Sequence, residues 1–77
     1  MNAERRKELS RIIEKLEAQL DAIETVKDEE EECHDNLPEQ LQDTERGEQM
    51  QENYEDLDSI YDDLQDIIDR IQDVIDR

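Results

Sequence analysis

Carboxylates are the reactive groups this sequence supplies in quantity. Glu52, Glu55, Asp62, Asp66, Asp69, Asp73 and Asp76 recur at steps of three or four, with one gap at Ser59. On a helix such a row follows one face, with neighbours roughly 5–6 Å apart. That is of the order of phosphate spacing along a nucleic-acid strand, although a duplex is denser, at about one charge per 1.7 Å. The functional expectation is a charge mimic that occupies a basic groove on a nucleic-acid-binding protein. The plainer reading is a solvated face that keeps a small bundle soluble. Asp is a poorer helix former than Glu, and acid near a helix C-terminus opposes the dipole. Asp66, Asp69, Asp73 and Asp76 break both rules, which favours function over solubility alone. Arg70, Arg77 and the basic start of the chain offer a structural compensation.

Three further groups bear on chemistry. Glu29–Glu32 is a run of four glutamates at the expected end of a helix. It reads as a docking site for Lys or Arg, as a cation site completed by Asp28 and Asp35, or as a frayed, solvated end. An Asp-x-Asp-x-Asp-Gly calcium loop is absent. Cys33 and His34 are adjacent, so on a helix they point about 100° apart and make a poor metal pair or nucleophile–base pair. Packing near the bundle end or plain exposure is the expectation for Cys33. Tyr54 and Tyr61 lie seven apart on an apolar seam and read as core residues with their hydroxyls at the rim. With no phosphate-binding glycine loop, no triad and no basic patch, the chain is expected not to be an enzyme. No cofactor and no metal are expected.

Composition narrows the partners. Twenty-six acidic residues against nine basic give a net charge of −17 over 77 residues. Residues 1–27 are neutral, with Arg5, Arg6, Lys7, Arg11, Lys15 and Lys27 balanced by six acids, so the net charge falls entirely on residues 28–77. Such a chain repels nucleic acid and anionic membranes and attracts basic protein surfaces. The expected partner is a basic protein surface, with neither nucleic acid nor membrane bound directly. No apolar run reaches the roughly 18 residues of a membrane span, and no apolar core follows Arg5-Arg6-Lys7 as in a signal peptide. The single cysteine fits a reducing compartment, so the expected location is the cytoplasm.

These groups need helices to position them. Leu9, Ile13, Leu16, Leu20 and Ile23 form a heptad seam, widened by Ile12 and Val26. The spacing predicts a helix over 2–33, with Glu8/Arg11 and Arg11/Glu14 as outer charge pairs. The seam breaks chemically at Lys27 and Glu30. Met50, Tyr54, Leu57, Tyr61, Leu64, Ile68, Ile71 and Ile75 step by four and three without a fault, and Ile60, Ile67 and Val74 repeat beside them. They predict a helix over 45–76. Residues 34–44 are the turn, in which Asn36 caps a short helical turn begun by Pro38, and Leu37 and Leu41 close the core. Asp43 or Thr44 is the expected N-cap of the second helix, with Glu45 in its first turn.

The expected fold is all-α, an antiparallel two-helix hairpin forming a single domain over 1–77. Pairing residues whose numbers sum to 84 keeps every layer apolar, as in Leu16–Ile68 and Leu20–Leu64. A slide of one heptad would set Ile71 and Ile75 against Arg6 and Asn2. The preferred register brings Arg5, Arg6, Lys7 and Arg11 beside Asp69, Asp73 and Asp76, and makes the turn end the looser one. A chain this small rarely gains more than about 3–5 kcal/mol from its own core. Dimerisation into a four-helix bundle is therefore expected, through Ile12, Val26, Ile60, Ile67 and Val74.

The segments Glu4-Arg5-Arg6-Lys7, Asp28-Glu29-Glu30, the turn Asp35-Asn36-Leu37-Pro38-Glu39-Gln40-Leu41-Gln42 and Thr44-Glu45-Arg46-Gly47-Glu48 together resemble a group of small acidic proteins of bacteriophages and prophages. The similarity covers nearly the whole chain and is most specific in the turn. It implies a helical fold and a phage setting, hence the host cytoplasm. Small acidic phage proteins include DNA-imitating inhibitors of host defence, so the resemblance points to a non-enzymatic interaction protein. The alternative is a structural or assembly protein that uses its apolar stripe to oligomerise.

Overall fold

The computed structural model describes residues 1–77 and contains three helices: α1 (Ala3–Asp35), α2 (Glu39–Gln42) and α3 (Glu45–Ile75). The two long helices pack along their length into a rod of 59 × 15 × 12 Å. No strand forms.

α1 begins one residue later than the spacing suggests. Asn2 lies outside the helix in extended backbone, and its side-chain oxygen accepts from the Arg5 amide at 2.8 Å. This satisfies one amide that the helix leaves unpaired. α1 also runs two residues beyond the expected end. Glu29–Glu32 thus lie within the helix, whose last residues are Cys33, His34 and Asp35.

The turn differs from expectation in its caps. Asn36 ends α1 in a helical conformation, its amide donating to Glu32 O at 2.9 Å, and does not cap α2. Pro38 takes the position before α2, with φ −53 and ψ 143. The proline ring disfavours helical backbone at the preceding residue, so α1 stops before Leu37. Thr44 is the N-cap residue of α3, but its hydroxyl donates backwards to Leu41 O instead of accepting from α3. Gln42 Nε2 clamps the turn by donating to Leu37 O at 3.1 Å. Leu37 is half-buried and Leu41 exposed, so only Leu37 helps close the core.

Gly47 has a steric reason. It lies in the first turn of α3, buried against the end of α2, where a Cβ would sit 2.6 Å from the Gln42 carbonyl carbon and overlap its oxygen. No side chain fits there without moving the connection.

Inter-helix contacts establish the register. Lys27 meets Asp58, Asn53 meets Glu30, and Arg6 reaches the Arg77 carbonyl. These pairs sum to 85, 83 and 83, in line with the expected 84. Ile13, Leu20 and Ile68 are buried, with Leu16, Tyr61, Leu64, Ile71 and Ile75 packed around them. The seam of α1 continues geometrically past Ile23, because Lys27, Glu30 and His34 are all half-buried.

One electrostatic expectation fails. Arg5, Arg6, Lys7 and Arg11 form no ion pair with Asp69, Asp73 or Asp76; Arg11 pairs with Glu8 at 3.0 Å, and Glu14 stays free. These side chains keep their hydration, since an exposed pair gains little over water.

Candidate functional site

The seven carboxylates of the acidic row are all exposed, and none is in an ion pair. At 100° per residue, Glu55, Asp62, Asp66, Asp69, Asp73 and Asp76 fall on one flank of α3, roughly 80–160° around the axis from Ile68. Glu52 lies just beyond. Three of them are held by amides one turn earlier: Gln51 donates to Glu55 at 3.0 Å, Gln65 to Asp69 at 3.2 Å and Gln72 to Asp76 at 3.1 Å. Asp76 is the C-cap of α3, and no basic residue occupies its last turn.

The acidic flank extends onto α1, which the row on α3 alone does not reveal. The Tyr61 phenol is pushed above its ordinary value of 10.0, first by burial and then by the Glu24, Asp21 and Asp62 carboxylates. Those acids come from both helices and converge on one edge of the hairpin. The 84 register contains the signal, because it sets residues 21–24 level with residues 60–63.

At the turn end the interface is polar. Lys27 Nζ lies 3.1 Å from Asp58 Oδ1 and stands over the rings of Tyr61 and Tyr54, at 5.3 and 6.0 Å from their centroids. Its side chain is 14% exposed. The Asp58 hydrogen bond holds the ammonium above its usual 10.5 in spite of that burial. The neighbouring Glu31 carboxylate raises the Tyr54 phenol. Asn53 donates to Glu30 at 3.5 Å. The glutamate run is thereby dispersed: Glu30 and Glu31 face different partners on α3, while Glu29 and Glu32 are exposed. No group of three or more His, Cys, Asp or Glu is arranged to hold a metal ion. Cys33 is exposed, and His34 Nδ1 lies 3.4 Å from Asp35, not on the thiol.

The other flank of α3 is apolar. Ile60 and Ile67 are 48% and 46% exposed, and Val74 is half-buried beside them. Ile12 and Val26 on α1 are exposed at 37% and 51%. Right-handed helices running antiparallel turn these two rows to the same side of the hairpin, away from the acidic edge. The rod therefore has an acidic side and an apolar side. No helix is long and apolar enough to cross a membrane.

No family model, curated protein or solved structure matches the chain.

Proposed function

We propose that this chain is a non-enzymatic interaction protein of phage or prophage type, acting in the host cytoplasm. Its acidic side binds a basic protein surface and keeps nucleic acid from it. The observation that carries this reading is the row of seven exposed carboxylates on one helix, none of them in an ion pair. The helix pre-organises the backbone of the row, so little backbone freedom is lost on docking. Long-range attraction to a basic groove would also speed encounter and would weaken steeply with salt.

The test is recovery of host proteins on the immobilised chain. Bound proteins should be released by competing duplex DNA and by raised salt. A chain with Asp62, Asp66, Asp69 and Asp73 changed to Asn should lose them. Equal recovery by both chains, or salt-insensitive binding, would rule the charge reading out.

A second reading is favoured by the exposure of Ile60, Ile67 and Val26. In it the chain is an assembly protein that pairs with a second copy through its apolar side, and the acid serves to keep the particle soluble. Changing Ile60 and Ile67 to Glu should abolish self-association while the hairpin stays helical by circular dichroism.

A further inference from the structure

The apolar side needs a cover, and its area and charge pattern indicate what that cover is. A compact protein of 9.2 kDa exposes about 4,900 Å². The hairpin exposes 5928 Å², roughly 1,000 Å² more. That excess reflects the rod shape, and a standard protein–protein interface removes about 800 Å² from each partner, an area that one face of a rod 59 Å long and 15 Å wide can supply.

The charges beside the apolar row are ordered. Along α3 the sequence reads Asp56, Ile60, Asp63, Ile67, Arg70, Val74, Arg77. Acid flanks the first half and arginine the second. Arg70 and Arg77 form no ion pair within the hairpin, and neither do Asp56 and Asp63. A groove lined by Ile67, Ile71, Val74 and the acid Asp73 lies between the two arginines. Reversed end for end about Ile67, the row complements itself: Ile60 meets Val74, Asp63 meets Arg70 and Asp56 meets Arg77.

We infer that the apolar side binds a second copy of this chain in one orientation, with α3 antiparallel to α3 of the other copy and Ile67 at the two-fold axis. This deepens, and rests on, the assembly reading above. A two-fold axis across the hairpin makes each contact twice, as expected of an isologous dimer. The same operation sets α1 on α1 about residue 17, which the 84 register places level with Ile67, so that Ile12 lies opposite Ala22 and Val26 opposite Glu8. Glu8 is paired within its own chain with Arg11 at 3.0 Å. The alternative with α1 over α3 of the other copy, antiparallel, is disfavoured because it sets Lys15 near Arg70 and Glu29 near Asp56. In the inferred dimer both acidic sides face outward.

Two measurements test this, with Cys33 changed to Ser throughout the first. Under mild oxidation, Ile67→Cys should form a disulfide dimer with itself. Ile60→Cys should couple to Val74→Cys on mixing, but not to Val26→Cys or Ile12→Cys. In the second, Asp63→Arg and Arg70→Asp should each weaken dimerisation by more than about tenfold, since like charges then meet twice. The chain carrying both changes should recover it in analytical ultracentrifugation. Dimers in which Ile60→Cys couples to Val26→Cys or Ile12→Cys, or a double swap that restores nothing, would overturn the orientation and leave the assembly reading standing. A wild-type chain that stays monomeric at millimolar concentration would overturn both.

Discussion

The two halves of the hairpin share a seam and differ in what fills it. At the free end, Leu9 to Ile23 of α1 meet Leu64 to Ile75 of α3 through aliphatic side chains, with Tyr61 at the border, and all three buried hydrophobics of the molecule lie there. At the turn end, Lys27, Glu30 and His34 take the equivalent positions, and the interface is made of an ion pair, an amide–carboxylate bond and a lysine over two tyrosine rings. Helix geometry alone decides which positions face the partner helix. The side chains at those positions decide how much the contact stabilises. Aliphatic burial is non-directional and repays the ordering of the chain. The polar contacts gain little over water, yet they are specific in position, since Lys27 lies between Tyr54 and Tyr61 and on Asp58 in only one register.

The largest effect should come from breaking the apolar half. Ile68 is 3% exposed, and Ile68→Ala is expected to cost about 2–5 kcal/mol. That equals most of what a core of this size supplies, so helicity should collapse in a urea titration followed by circular dichroism. Met50→Ala, in the polar half, should shift the midpoint much less. Gly47→Ala should come next, at about 1–3 kcal/mol, because the Gln42 backbone must move to admit the methyl group. The gain in helix propensity, about 1 kcal/mol, offsets part of that. A rise in stability on this change would refute the close packing of α2 on α3. Asn2→Ala should remove about 1 kcal/mol through loss of its bond to the Arg5 amide, visible as a lower thermal midpoint and faster amide exchange over the first turn of α1.

The smallest effect is that of alkaline pH on the polar half. The Lys27, Tyr54 and Tyr61 pKa values are all raised in the fold, from 10.5, 10.0 and 10.0. The folded chain therefore binds more protons than the unfolded one at high pH. This contribution is complete below about pH 10 and is lost as pH rises through the raised values. The thermal midpoint should be flat in this respect from pH 7 to 9 and fall above 10. Tyrosinate absorbance should titrate later than in the urea-unfolded chain. Coincident titrations would show that the tyrosines do not sense Glu31, Glu24 and Asp21.

Much of this molecule was legible in its residues, because few interactions compete with helical periodicity in a chain with one proline and one glycine. The unbroken seam from Met50 to Ile75 specifies α3, and the apolar layers specify the antiparallel register, since a slide of one heptad would set Ile71 and Ile75 against polar residues. The acidic row and the apolar row follow from spacing alone. Tertiary structure decided the features that depend on how close two segments come. Gly47 stands where α2 touches α3, a distance no local pattern encodes. Lys27 is a seam position occupied by a charge, and only the proximity of Asp58, Tyr54 and Tyr61 makes that position tolerable. The breadth of the acidic side depends on α1 and α3 bringing Asp21, Glu24 and Asp62 to one edge. Periodicity is a property of one helix and can be read from one segment. Steric closeness and the sharing of charge between segments exist only once the two helices are docked.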